Sequence, residues 1–408
     1  MRTLLISDLH LGSRTGSDLL RRSELRAPLL AAAAGADRVV LLGDVLELRH
    51  GPPREALAAA HGFFAELGRA LQGRELLVLA GNHDHALIEP WLSRRGERDV
   101  AAALDLEQLI APAQASPMLQ RISEWAAPAR VLAAYPGVWV REDVYATHGH
   151  YLDCHLTVPT LERLGVGAMS RVLGRPASEF ASVDDYEAVT APVYAWRDAV
   201  AREAPTGAAL NGTSAQSAWR ALGGGGDTSS AAVAWRDRAA ARAGLARRLR
   251  TRALVAAFPL AVAALNRAGI GPLRAEISGT ELRRAGLRAM GEVATRLGLG
   301  EAYVVFGHTH RSGPLPRDDE REWRGDYGAA ALDGAWAAAT SGPGARLVNA
   351  GCWTYESVFL SATPGESPYW PGTCVLVEDS GAPVLERLLA DRTHEQLRPP
   401  RTPARARS

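Results

Sequence analysis

Five stretches of this chain carry aspartate, histidine or asparagine immediately after an apolar run. "TLLISDLHLG" ends on Asp8 and His10, and "RVVLLGDVLEL" carries Asp44. "ELLVLAGNHDH" ends on Asn82, His83 and Asp84; "DVYATHGHY" carries His148 and His150; "AYVVFGHTH" ends on His308 and His310. These donors are oxygen and nitrogen, with no sulfur. Such a set suits manganese, iron, zinc or magnesium rather than a thiolate-bound structural metal. It is too large for one tetrahedral ion and large enough for two ions that share a carboxylate. One H-x-H or one aspartate after a strand is ordinarily a turn residue. The same ending repeated five times calls for a common site.

The elements that must position these groups are legible around them. Each apolar run has the length of an ordinary strand. The first three and the last are continuously apolar, as in strands covered on both faces. Residues 17–35 and 54–72 are Ala/Leu-rich and predict helices, so the chain opens β-α-β-α-β, a pattern that favours parallel strands with right-handed crossovers. Ligands of open α/β sheets gather beyond the carboxyl ends of strands, where Asp, His and Asn from five strands would meet. Gly43, Gly81, Gly149 and Gly307 fit tight turns and close backbone approach there.

Composition narrows the function. The 408 residues include 46 basic side chains, all arginine, and 45 acidic ones, for a net charge of +1. That balance gives no overall pull toward nucleic acid. Three separated cysteines, Cys154, Cys352 and Cys374, suggest neither a disulfide framework nor a Cys-based zinc site. "MRTLLISD" enters a strand at once, without the apolar region of a signal peptide. No apolar stretch is long enough to span a bilayer. The expectation is a cytoplasmic protein.

The motifs "SDLHLG", "GDVLE", "GNHDH", "THGH" and "GHTH", in this order, resemble those of the calcineurin-like metallophosphoesterases. The resemblance covers residues 1–150 and about 300–355, where "LVNAGCW" is similar to the family's closing strand. It implies a four-layer α/β/β/α sandwich of two mixed sheets, completed by strands near Arg346–Ala350, Cys374–Glu378 and Pro383–Leu388. It also implies two divalent cations, manganese foremost. Asp8, His10, Asp44 and His310 would hold one, and Asp44, Asn82, His148 and His308 the other. A hydroxide bridging the ions would attack phosphorus, with His83 as general acid and Asp84 orienting it. His150 stands where some relatives carry aspartate and is a candidate substrate contact. The implied activity is hydrolysis of a phosphate ester or pyrophosphate bond in a small-molecule or lipid-linked substrate.

Residues 151–300 have no counterpart in that pattern and read as a mainly helical insertion, a lid or cap between the domain halves 1–150 and 301–391. "PTLERLGVGAMSRVLG", "DDYEAVTAPVYAWRDAVARE" and "SGTELRRAGLRAMGEVATRLGLG" have helical spacing, the last with a capping box of Ser278 and Glu281. An arginine-rich stretch from Arg242 precedes an apolar run to Leu265. The plain expectation is a helical subdomain with a wet arginine face; the sharper one is peripheral membrane contact through 242–265 at the inner face of the membrane. "GDVLEL" looks somewhat like cytoplasmic pyrophosphatases acting on UDP-diacylglucosamine, but "GNHD" and the insertion's length depart from them. Related repair nucleases and an inert scaffold of the same fold are the rival readings. The Pro- and Arg-rich tail 392–408 is expected to be disordered.

Overall fold

The first half of the chain alternates as its apolar runs require. Strand β1 (Thr3–Ile6) leads to α1 (Ser23–Ala34), β2 (Arg38–Leu42), α2 (Pro53–Leu71) and β3 (Glu75–Leu79). Helix α2 starts on a proline at its first position, where the missing N–H is no loss. It buries Ala56, Ala60, Phe63, Phe64, Leu67 and Leu71, which recur every three or four residues along one face. The computed structural model from which these elements are taken describes residues 1–96, 102–203, 258–275, 279–324 and 344–399.

Next come α3 (Glu89–Gly96), β4 (Glu107–Ile110), α4 (Pro112–Ala115), α5 (Pro117–Trp125), β5 (Arg130–Arg141) and β6 (Val144–Thr147). The insertion contributes α6 (Leu161–Leu173) and α7 (Val183–Arg202), the latter opened by a capping box of Ser182 and Asp185. Residues 258–267 are also helical. Helix α8 (Gly279–Arg296) leads back to β7 (Tyr303–Phe306), followed by β8 (Ser312–Gly313), β9 (Arg346–Ala350), β10 (Thr373–Val377), β11 (Val384–Arg387) and α9 (His394–Leu397).

Eleven strands form one mixed sheet, in the order β11-β10-β1-β2-β3-β5-β6-β7-β9-β8, with β4 added on β5. Strands β1, β2, β3 and the start of β5 are parallel, as are β6, β7 and β9. The expectation of two sheets meets a continuous ladder instead. Its cause is β5, which pairs with β3 through Arg130–Ala134 and with β6 from Gly137 onward. The sheet is barrel-like. Alternate residues from both halves, among them Leu5, Val40, Leu77, Val144, Val305 and Val348, share one inner core. The opposite faces carry helices: α1, α2 and α5 cover β1 to β3, while α6, α7 and α8 pack against β6, β7 and β9.

One expectation is corrected at the tail. Residues 392–399 are ordered, because Leu397 is buried and His394 packs on Trp370 with ring centroids 5.0 Å apart. Arg22 also donates to the carbonyls of Leu397 and Arg398. Ser278 of the expected capping box, the arginine-rich stretch 242–252 and residues 400–408 lie outside the described residues. Among the described residues, no helix is long and apolar enough to cross a membrane.

Candidate metal centre

The carboxyl ends of β1, β2, β3, β6 and β7 open on one place. The loops after β1 and β2 are laced together there: Asp8 N–H donates to the Gly43 carbonyl at 3.2 Å, His10 to Asp44 at 2.8 Å and Leu11 to Val45 at 2.9 Å. Six non-glycine residues among those described have positive φ, and five of them are Asp8, His10, Asp44, His308 and His310. Side chains in this left-handed region cost of order 1–3 kcal/mol each and persist where the surroundings enforce them. Glycine is required beside them for space. A Cβ on Gly81 would fall on Asp44 Oδ1, and one on Gly307 would fall on Ser7 Oγ.

The side chains converge in overlapping groups. Asp8, His10 and His310 form one, Asp44, His148 and His308 a second, and His10, Asp44 and His83 a third, each with ligand atoms within 4.8 Å of one another. His10 Nε2 lies 3.8 Å from Asp8 Oδ1, 3.7 Å from Asp44 Oδ2 and 3.1 Å from His310 Nε2. His148 Nε2 is 3.4 Å from Asp44 Oδ2. Asn82 Oδ1 lies 3.0 Å from both His148 Nε2 and His308 Nδ1. Asp44 thus stands in both halves of the cluster.

Outer partners decide which imidazole nitrogen is left for the cluster. His10 Nδ1–H donates to Glu47 at 3.0 Å, His148 Nδ1–H to the Leu42 carbonyl at 2.8 Å, and His308 Nε2–H to Asp153 at 3.0 Å. With the rings neutral, the remaining nitrogens would turn their lone pairs inward. This arrangement of ligand imidazole and outer acceptor fixes tautomer and ring orientation in metal sites. Asp8 Oδ1, wholly buried, makes no hydrogen bond of good geometry; His310 Nε2 lies 3.3 Å from it. Asn82 can meet its neighbours in two ways. Reversed, its amide nitrogen would donate to His148, His308 and Asp44; with oxygen inward it faces acceptors, which is the orientation a cation requires. Buried oxygen and nitrogen ligand atoms that converge on one place are the fit expected of a divalent cation site.

Two of these partners were not among the candidate residues. Glu47 accepts from both His10 and His83, each at 3.0 Å. It lies inside the "GDVLE" motif, three residues after Asp44, and that proximity was its one sequence signal. Asp153 follows "THGH" at the start of the insertion and carried none. Two expected roles change. Asp84 does not reach His83: its carboxylate accepts backbone N–H groups of Asp44, Val45, Leu46 and Gly81 at 2.7–3.2 Å. It therefore shapes the loops, and Glu47 orients His83. His150 is 1% exposed and packs against Tyr151 and Tyr194, so it makes no wall for a substrate.

Charge is concentrated here. Burial works against the ionised carboxylates, yet the surrounding histidines hold Asp8, Asp44 and Glu47 well below the usual carboxylate range. Burial likewise opposes protonated imidazoles, but Asp8 and Glu47 raise His10 to about 10, and Asp44 raises His148 to about 9. Burial lowers His83 to about 4, with Arg49 adding to it and Glu47 opposing. Burial and the Asp44 charge raise Asp84 to about 7.

A cavity of about 360 Å³ lies over the cluster. His83 and Asp153 line it, together with Glu162 of α6, Arg197 of α7, and Arg283 and Leu287 of α8. Its arginines already have counter-charges: Arg197 and Arg49 meet Glu162 at 2.7 and 3.5 Å, Arg283 meets Glu322 at 2.9 Å, and Arg311 meets Asp318. No family model matches the chain, and no curated protein matches it either.

Proposed function

We propose that the protein is a metal-dependent phosphoesterase of the calcineurin-like type, hydrolysing a phosphate ester or pyrophosphate bond. In this reading the barrel-like sheet is that family's pair of stacked sheets, joined through β5, within a four-layer α/β/β/α sandwich. The observation that carries the proposal is Asp44, whose carboxylate is shared by the His10 side and the His148 side of one buried cluster. Asp8, His10, Asp44 and His310 would hold one divalent cation, and Asp44, Asn82, His148 and His308 a second, with manganese the first choice for this oxygen and nitrogen set. Cations held there would supply charge to polarise a phosphoryl group and to acidify an attacking water.

The chain's own residues account for the rest. Glu47 takes the His83 Nδ1 proton in a hydrogen bond and leaves Nε2 as the working nitrogen of a ring that lines the cavity. Burial keeps that imidazole neutral at pH 7, so it acquires the proton it donates when an anionic phosphate is beside it, since a nearby negative charge favours the imidazolium. The paired arginines of the cavity favour a substrate with a single phosphate or pyrophosphate group on a neutral or apolar body over a polyanionic strand.

Manganese-loaded protein should hydrolyse p-nitrophenyl phosphate or its bis ester, lose that activity in chelator, and lose it with Asp44→Ala. Fully loaded protein that cleaves no monoester, diester or pyrophosphate would sink the reading.

A further inference from the structure

A second cavity, of about 410 Å³, is lined by α6, α7, α8 and the turn at 269–272. Val166, Phe180, Val189 and Ile270 make much of its wall apolar. Two arginines also line it. Arg296 is provided for: its Nε donates to Glu292 at 2.7 Å, and its Nη1 donates to the carbonyls of Ser178 and Phe180 at 2.9 and 2.8 Å. Arg163 is different. It is 4% exposed, and its Nε donates to the Leu156 carbonyl at 2.7 Å. No carboxylate among the described residues lies within ion-pair distance of it. Gly167, one turn further along α6, leaves the room it occupies, since a Cβ there would come within 2.5 Å of Arg163 Nη1.

Burying a charge is costly unless it is paired. A guanidinium fork matches carboxylate and phosphate oxygens through parallel hydrogen bonds. We propose that this cavity binds a small amphipathic anion, a carboxylate or phosphate-type head on an apolar body, with Arg163 receiving the head. The site is separate from the metal centre but shares a wall with it. Asp153 and Glu162 line the metal cavity, whereas Cys154, His155 and Arg163 line this one. An occupant would therefore rest against the segment that orients His308.

The test is calorimetric titration of the full-length, manganese-loaded protein with octanoate, octylphosphonate, octylammonium and inorganic phosphate. At least one octyl anion should bind, octylammonium should not, and inorganic phosphate should bind more weakly than the octyl anion. Whichever octyl anion binds more tightly identifies the head group. Arg163→Gln should weaken binding about tenfold or more, the usual range for a lost charge-assisted hydrogen bond. Arg163→Lys keeps the charge but loses the planar fork, and should weaken it too; should Arg163→Gln fail to fold, this variant carries the comparison. Tyr369→Ala, on the wall of the metal cavity and not of this one, should leave the affinity within about twofold, as residues without shared partners act independently. No binding by either octyl anion, equal binding after the substitutions in α6, or loss of binding with Tyr369→Ala would each overturn the proposal.

Discussion

Glu47 holds two imidazoles that have different work. It accepts from His10, a proposed metal ligand, and from His83, whose ring lines the cavity. Glu47→Gln keeps the shape and removes the charge. It should lower metal content or kcat about 10–100-fold, the usual loss when an outer partner of a ligand is changed. Elemental analysis beside kcat on p-nitrophenyl phosphate separates the two effects, and full metal with full activity would refute the role. His83→Ala should slow an alkyl phosphate by about 10²–10⁴-fold and p-nitrophenyl phosphate far less, because only the poor leaving group needs a proton. Equal losses on both substrates would remove His83 from that task. The clustered residues were legible because Asp, His and Asn stand out at the ends of apolar runs. Glu47 and Asp153 were not, since an acidic residue that orients a histidine looks like any other until the chain is folded around it.

At the scale of elements, the insertion belongs to the centre as much as the sheet does. The 3₁₀ turn His150–Cys154 carries Asp153 to the Nε2–H of His308. Asp153→Asn should weaken cation binding about 10–100-fold by the same logic, read as the manganese concentration giving half-maximal activity. An unchanged value would make the turn a bystander. The helices of the insertion were readable from their 3.6-residue spacing. Strand β5 was not: "RVLAAYPGVWVR" contains Pro136 and Gly137, which read as a turn. In the fold they sit where the strand passes from β3 to β6, and Gly137 leaves room for the Tyr145 hydroxyl.

For the whole molecule, the cluster couples metal, protons and stability. Folded His10 and His148 hold their protons to about pH 10 and about pH 9, whereas an unfolded imidazole releases its proton near pH 6.5. Their contribution to the stability of the metal-free protein is complete below about pH 6.5 and is lost as pH rises through 9 and 10. Cations need the deprotonated rings, so they bind more tightly as pH rises and stabilise the fold by mass action. The difference in Tm between manganese-loaded and chelated protein should widen from pH 7 to pH 9. A constant or shrinking difference would contradict the charge states assigned here. The pairing of β1 was out of reach of the sequence, because it lies between β2 and β10, and no local pattern announces a partner so distant.

The same separation governs synthesis. Asp8 accepts the amide of His308 across 300 residues, and β1 completes its pairing with a strand that is translated later still. A nascent chain on the ribosome thus carries at most five of the seven proposed ligand residues for most of its elongation. His308 and His310, which follow β7, bring the last of the set to an aspartate that left the exit tunnel long before.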